Sequence, residues 1–370
     1  MKKTKTGNVF VGIMYFLVSV FGGILLGLSI SHAPLMLEPI GVMIAFYLFC
    51  IISASLAQII IHEGGHLIFG LLSGYRFSSF RIGSVALVKT SAGMRLKRFS
   101  VSGTAGQCLM LPPEGGWESM KVFAYNMGGA FMNIVTACIF FLLSEHTEGL
   151  LSDWFGAAGT MGFIYAAMNG IPVRGEMLSN DGANMLCLIK EPRLKRSFWV
   201  QLTVNGMLSE GTRLSEMPSE WFLPPEGYGT SEPMVSSLIV LGLQRLMDQG
   251  LYEKAIDGMK NVLGSESLQG LYANILRVDL VTAQLLTSGK DADISILKDR
   301  QMKKFLSSGS RSPSVTRLLY CVALLAEGDG KKAQSLKKKF ERIAAQYPYQ
   351  GELYSERAMM ERALKLFQEG

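Results

Sequence analysis

The chain has 370 residues, 49% of them hydrophobic and only 18% charged, with a formal net charge of +6. So few charges, against roughly 25% in an ordinary soluble protein, argue against a wholly water-soluble chain. No basic, aromatic-studded module stands out, so the positive balance does not point to nucleic acid. The five cysteines, Cys50, Cys108, Cys138, Cys187 and Cys321, form no CxxC pair, which favours buried or free reduced thiols over disulfides or a cysteine metal site.

The apolar residues are concentrated in the first half. A run from Val9 to Ile30 opens the chain. Ser31-His32-Ala33 has the small residues of a cleavage site, but the run is long for a signal peptide and Pro34 would follow the cut, so a retained anchor is expected. Residues 1–38 are then an anchor span and an outer loop. The next run starts near Pro39 and continues to about Leu72. A bilayer core needs roughly 20 apolar residues, so this one is tilted or extends past the membrane surface. Further spans are expected over Val122 to Leu143 and Leu150 to about Ile171, making four in all.

Loop charges set the orientation. Lys2, Lys3 and Lys5 precede the first run, and the segment Tyr75–Lys121 carries Arg76, Arg81, Lys89, Arg95, Lys97, Arg98 and Lys121. The loops Ser31–Glu38 and Ser144–Gly149 have no Lys or Arg. The positive-inside rule makes the N-terminus, the central segment and the C-terminal domain cytoplasmic. The short outer loops and the absence of organelle signals suggest a bacterial cytoplasmic membrane.

Within residues 77–113 apolar and polar residues partly alternate, punctuated by glycine, which predicts two or three short strands. Gly103, Gly106, Pro112 and Pro113 mark the following loop. The insertion has two readings: an open sheet edge that holds an extended peptide, or a cap without a substrate role. Residues 191–233, with Pro218, Pro224 and Pro225, read as a linker with local structure. From 234 to 370 the chain reads as amphipathic helices punctuated by Gly250, Gly289 and Gly328, 39 residues apart. That spacing predicts a helix–turn–helix array similar to tetratricopeptide repeats, with a face for a cytosolic protein partner. The expected fold class is mainly α: a polytopic membrane domain, a small β insertion and a C-terminal helical repeat-like domain.

Chemistry concentrates at His62-Glu63-Gly64-Gly65-His66, inside the second apolar run. The two histidines stand one helical turn apart on one face, with a carboxylate beside them. The chain has only four histidines; His32 and His146 sit in outer loops. Zinc hydrolases use three protein ligands and an open position for water. His62 and His66 supply two ligands, and Glu63 is placed to take a proton from the water. Two histidines and a glutamate in hydrocarbon without strong partners are costly. Gly64 and Gly65 each cost about 1 kcal/mol in a helix interior, which implies close approach of another backbone or of a substrate strand. Asn126-Met-Gly128-Gly129 and Asn133 follow in the third run. Asn169-Gly-Ile-Pro172 and Ser179-Asn180-Asp181-Gly182 come later. Pro172 and Gly182 allow Asp181 to turn back as third ligand, with Glu176 as the other acid at hand.

This combination resembles the site-2 protease family of intramembrane zinc metalloproteases, over roughly residues 40 to 190. The resemblance implies one zinc per chain held by His62, His66 and Asp181, with Glu63 as general base. It implies that Asn169 steadies the scissile carbonyl or oxyanion. It further implies hydrolysis of peptide bonds in or near transmembrane segments of membrane proteins or peptide precursors. Two features depart from the family pattern: eight residues, Val173 to Asn180, separate the proline from Asp181, and Gly129 stands where the family commonly has proline. A non-catalytic membrane adaptor and a membrane zinc protease of the kind that trims prenylated CAAX proteins are the other readings of the same residues.

Overall fold

The computed structural model describes residues 2–29, 37–90, 93–99, 104–173, 179–265, 268 and 270–369. The chain divides into two compact units. One comprises Met1–Ile82, Ala105–Cys108 and Ser119–Pro192; the other comprises Gly83–Thr104, Leu109–Glu118 and Arg193–Gly370.

The first unit is built on α1 (Lys2–Ser29), α2 (Ile40–Leu72), α3 (Val122–Glu145), α4 (Gly149–Gly170) and the short α5 (Asp181–Lys190). Pro39 sits at the N-cap of α2, a position that tolerates a residue with no N–H to contribute to the helix ladder. With 33 residues, α2 is about 50 Å long at 1.5 Å per residue, well beyond a hydrocarbon core of about 30 Å. Gly12–Ser29, Ile40–Leu72 and Val122–Glu145 are each long and apolar enough to cross a membrane. Their outward faces expose Phe16, Phe21, Leu48, Ile52, Ile60, Phe131 and Leu142. Water would penalise such a surface, whereas a bilayer is its matching solvent.

The fourth expected run forms α4, but its composition is different. Ser152, Asp153 and Thr160 are buried within it alongside Gly156, Ala157, Ala158, Gly159 and Gly162. A side-chain carbon added at Gly159 would meet Phe141 at 2.8 Å, and one at Gly162 would meet Ala137 and Gln58 at 2.8 Å. Small residues thus let α4 pack closely among its neighbours, and that composition keeps it out of the strongly apolar class of the other three.

Four strands occupy the insertion where two or three are expected: β1 (Arg76–Ile82), β2 (Val85–Thr90), β3 (Gly93–Arg98) and β4 (Gly106–Leu111). Their order is β3-β2-β1-β4. Strands β2 and β3 are antiparallel, with Val85 opposite Arg98, Leu87 opposite Leu96 and Lys89 opposite Met94.

The second unit contains α6 (Leu194–Glu210), α7 (Pro233–Asp248), α8 (Tyr252–Leu263), α9 (Gly270–Ser288) and α10 (Arg300–Ser308). It continues with α11 (Pro313–Cys321), α12 (Gly330–Ala344) and α13 (Gln350–Glu369). Residues 191–233 are not simply a linker. Helix α6 runs through them, and its Val200, Val204 and Leu208 form a buried cluster with Leu214, Met217, Phe222 and Leu238. Gly250, Gly289 and Gly328 have φ of 74°, 55° and 68°. Each follows one helix and adopts the left-handed conformation that glycine reaches without strain.

A polar chain crosses the interior of this unit. Gln244 Nε2 on α7 donates to Asp279 Oδ2 on α9 at 3.0 Å. Arg317 Nη2 on α11 donates to Asp279 Oδ1 at 2.7 Å. Arg317 Nε lies 3.2 Å from Glu356 Oε2 on α13, and both side chains are almost fully buried. A lone arginine between two buried carboxylates would leave one negative charge uncompensated, which is costly in a low-dielectric interior. Burial raises the pKa of Glu356 from 4.5 to about 8; Arg317 opposes the rise, while Glu352 and Asp279 add to it. With a pKa of about 8 Glu356 is mostly protonated at neutral pH, which removes one negative charge beside Arg317.

A carboxyl whose pKa rises on folding binds its proton more tightly in the native chain. Its stabilising contribution is complete below the unfolded value and is lost as pH climbs through the folded one. The melting temperature of the second unit should therefore fall between about pH 4.5 and about pH 8, where the native chain holds a proton the unfolded chain has lost, and Glu356→Gln should flatten that slope. Thermal unfolding followed by circular dichroism across the pH range checks this; an unchanged slope in Glu356→Gln would contradict it.

Candidate metal centre

The site starts from a helix face. His62 and His66 are one turn apart on α2 and both are 7% exposed, as is fitting for groups that face neighbouring helices rather than lipid. What they face is glycine. A side-chain carbon at Gly65 would collide with the carbonyl of Gly128 and lie 2.8 Å from the Gly129 Cα. The backbones of α2 and α3 therefore meet directly. A carbon at Gly129 would stand 2.7 Å from both His62 Nε2 and His66 Nε2. The bare backbone at 129 leaves open the volume in front of the two ring nitrogens. Gly64 has no neighbour within 4 Å of where a side chain would start; the close approach expected of the pair belongs to Gly65.

Hydrogen bonds fix both rings. His66 Nδ1 lies 2.8 Å from the carbonyl oxygen of Tyr125. A carbonyl only accepts, so the proton is on Nδ1. His62 Nδ1 lies 2.6 Å from Asn133 Oδ1. The amide nitrogen of Asn133 donates to Gln58 O at 3.0 Å and to Gln58 Oε1 at 2.7 Å. With its donors spent on Gln58, Asn133 presents an acceptor to His62, whose proton is therefore also on Nδ1. Gln58 in turn donates to Ala158 O on α4 at 2.9 Å. A chain of amides thus runs from α4 through α2 to α3 and ends at His62. In the neutral rings this leaves both Nε2 atoms with bare lone pairs, the tautomer that metal ligation requires.

Asp181 completes the group. Its Oδ2 lies 3.1 Å from His62 Nε2 and 3.3 Å from His66 Nε2, and the two Nε2 atoms are 3.1 Å apart. Asn180 puts Asp181 there. The Asn180 carboxamide oxygen accepts from Ala183 N and from Val173 N, each at 3.0 Å. Its nitrogen donates to Met168 O at 2.7 Å and Ile171 O at 2.6 Å. The residue caps α5 and binds it to the end of α4 at the same time. A side chain at Gly182 would strike the Gly170 carbonyl, so the two helix ends touch there.

With both rings neutral the three atoms are all acceptors, which repel unless a cation lies between. A tetrahedral ion with bonds of about 2.0–2.1 Å has ligand–ligand edges of about 3.3 Å. The three separations match one face of that tetrahedron, and the donor set of two nitrogens and one oxygen suits zinc. Among the described residues, His62, His66 and Asp181 form the group able to hold a metal ion.

Glu63 is 8% exposed, and the titratable groups around its carboxylate are His66, His62, Asp181 and Arg81. The first residue of β4 presses on it: a side-chain carbon at Gly106 would lie 2.5 Å from Glu63 Oε1. Buried Arg81 on β1 holds that position, its Nη2 donating to Gly106 O at 3.3 Å. Tyr125 Oη donates to Cys108 O at 3.0 Å, so β4 is tied to the helix that orients His66. Of the expected residues, His62, Glu63, His66 and Asp181 are brought together. The Asn169 amide donates to Tyr165 O, one turn back on α4, at 3.0 Å. Glu176 lies outside the described residues. Gln58, Tyr125 and Gly106 are members that sequence reasoning missed. Only Gln58 left a mark in the pattern, as an amide one turn before His62 in an oily helix.

Searches of family models, curated proteins and solved structures return no match to the chain.

Removal of the amide chain should loosen the metal without unfolding the helices. Gln58→Leu frees Asn133 to rotate and is expected to lower zinc affinity about 10- to 100-fold, measured by competition with a chromophoric chelator. Gly129→Ala places a methyl group where the metal would lie, and zinc content after purification should fall to background. Unchanged stoichiometry in that variant would remove zinc from this position.

Proposed function

We propose that the chain is an intramembrane zinc metalloendopeptidase of the site-2 protease type. It would cut peptide bonds in or near transmembrane segments of membrane proteins or peptide precursors. One observation carries the reading: His62, His66 and Asp181 converge beside Glu63 within a unit of membrane-grade helices. The order of motifs along the chain supports the same family. The meeting of Asp181 with both imidazoles favours it over the CAAX-type enzyme, which draws its third ligand from a later glutamate.

Bound at this triad, one zinc ion per chain would supply an activated water and polarise the scissile carbonyl. Glu63 accepts the proton of that water and passes it to the leaving amine. Gly106 holds the carboxylate in place by contact, and Arg81 keeps Gly106 there. Asn133 and Tyr125 orient the two rings through Nδ1, so that each Nε2 faces the position the metal would take. The substrate must be locally unwound, since a helix ties up its own peptide bonds. Asn169 steadies the carbonyl only after its amide leaves Tyr165 O.

The rest of the reading follows from the sequence. Helix α4 is a fourth span, shielded from lipid by its partners. The termini and the second unit face the cytoplasm of a bacterium. The helices around Gly250, Gly289 and Gly328 act as a repeat-like array that receives a cytosolic protein partner. Nucleic acid has no part.

The test separates binding from chemistry. Glu63→Gln should retain zinc and lose at least about 100-fold in cleavage rate, while His62→Ala should lose both zinc and cleavage. Proteomics of membrane fragments from cells carrying wild type or Glu63→Gln identifies the products. Identical fragment patterns would leave the non-catalytic adaptor as the better reading.

A further inference from the structure

The net charge of +6 is unevenly placed. Between Tyr75 and Pro113 there are six basic residues, Arg76, Arg81, Lys89, Arg95, Lys97 and Arg98, and no Asp or Glu. The excess positive charge of the chain therefore equals that of this one segment, and the remainder balances to zero. Two of these cations share a surface with exposed aliphatic side chains. Residues directly opposite in an antiparallel pair project to the same face. On the β2–β3 hairpin that rule puts Val85, Leu87, Lys89, Met94, Leu96 and Arg98 together. Val85 is 43% exposed, Leu87 40%, Met94 49% and Leu96 68%. Lys89 and Arg98 stand at diagonal corners of this apolar rectangle.

The other face is already occupied. Ala86 and Val88 are fully buried, and Lys97 Nζ donates to Ala345 O, at the C-terminal end of α12 in the same unit, at 2.9 Å. The hairpin is thus fixed by one face and offers the other. An aliphatic surface of four side chains with cations at its corners suits the interfacial zone of a bilayer. There the side chains enter the acyl boundary by about 5–10 Å and the cations meet phosphate. The chain carries its own membrane: α2 ends at Leu72, and Arg76 follows almost at once. Tethering of this kind turns a weak surface affinity into an intramolecular one.

We infer that the exposed face of the β2–β3 hairpin is a docking surface for anionic phospholipid of the membrane in which the chain is embedded. The inference is independent of the protease reading, so Glu63→Gln protein serves equally well in the test.

The full chain is reconstituted in nanodiscs of phosphatidylcholine alone or of equal parts phosphatidylcholine and phosphatidylglycerol. A benzoylphenylalanine photocrosslinker replaces Leu96, or Tyr354 on α13 as a control. Mass spectrometry should find lipid adducts at Leu96 and few at Tyr354, with higher yield in the anionic discs. Lys89→Gln and Arg98→Gln should each lower the Leu96 yield in anionic discs about fivefold, as expected for one cation near a charged surface. Both substitutions are at exposed positions and should leave zinc content unchanged. The inference is overturned by equal yields at the two positions, by a yield indifferent to phosphatidylglycerol, or by adducts at Leu96 to a second copy of the chain in place of lipid.

Discussion

At Gly65 and Gly128 the backbones of α2 and α3 meet with no side chain between them, and the candidate metal site depends on that contact. Bulky residues would hold two helices about 8–10 Å apart. At that spacing Asn133 could not reach His62, and the Tyr125 carbonyl could not reach His66. Gly129 extends the same logic by one residue, since its missing side chain is the space in front of the two ring nitrogens. A helix-interior glycine costs about 1 kcal/mol relative to alanine. Here the loss is offset by hydrogen bonds that only close packing permits.

Those hydrogen bonds matter more in this surrounding than they would in water. Gln58, His62, His66 and Asn133 are all buried among apolar helices, where an unpaired polar group is penalised heavily. Every amide in the chain from Ala158 O to His62 has its partner. The last partner in each series is a ring nitrogen whose other side must stay free. The network thus does two jobs with the same bonds: it satisfies buried polar groups and it selects the tautomer. The second unit solves a related problem differently. There an excess carboxyl beside Arg317 is neutralised by its own proton.

Much of this was legible in the sequence because it rests on short-range periodicity. The limits of α2 follow from Pro39 and the end of the oily run, and the three turn glycines of the helical unit announce themselves by spacing. Asp181 was legible as a candidate from Pro172, Gly182 and the family resemblance, with Glu176 as its rival. What stayed hidden depends on contacts across the chain. Gly106 reads as an ordinary loop glycine, and only the fold brings it against Glu63. Tyr125 serves through its carbonyl, which no side-chain pattern reveals. Helix α6 was masked by its mixed face of Ser, Thr and Asn, and by the prolines that follow it.

The four bonds of Asn180 explain how eight residues can separate Pro172 from Asp181 without displacing the ligand. Val173 and Asn180 also pair through their backbones, Asn180 N donating to Val173 O at 3.2 Å. The two ends of the intervening segment are therefore pinned to each other and to the end of α4. The place of Asp181 beside the histidines is therefore held through Val173 and Asn180. The entropy of closing a loop grows only slowly with its length. The added spacing between proline and aspartate thus costs little once these anchors hold.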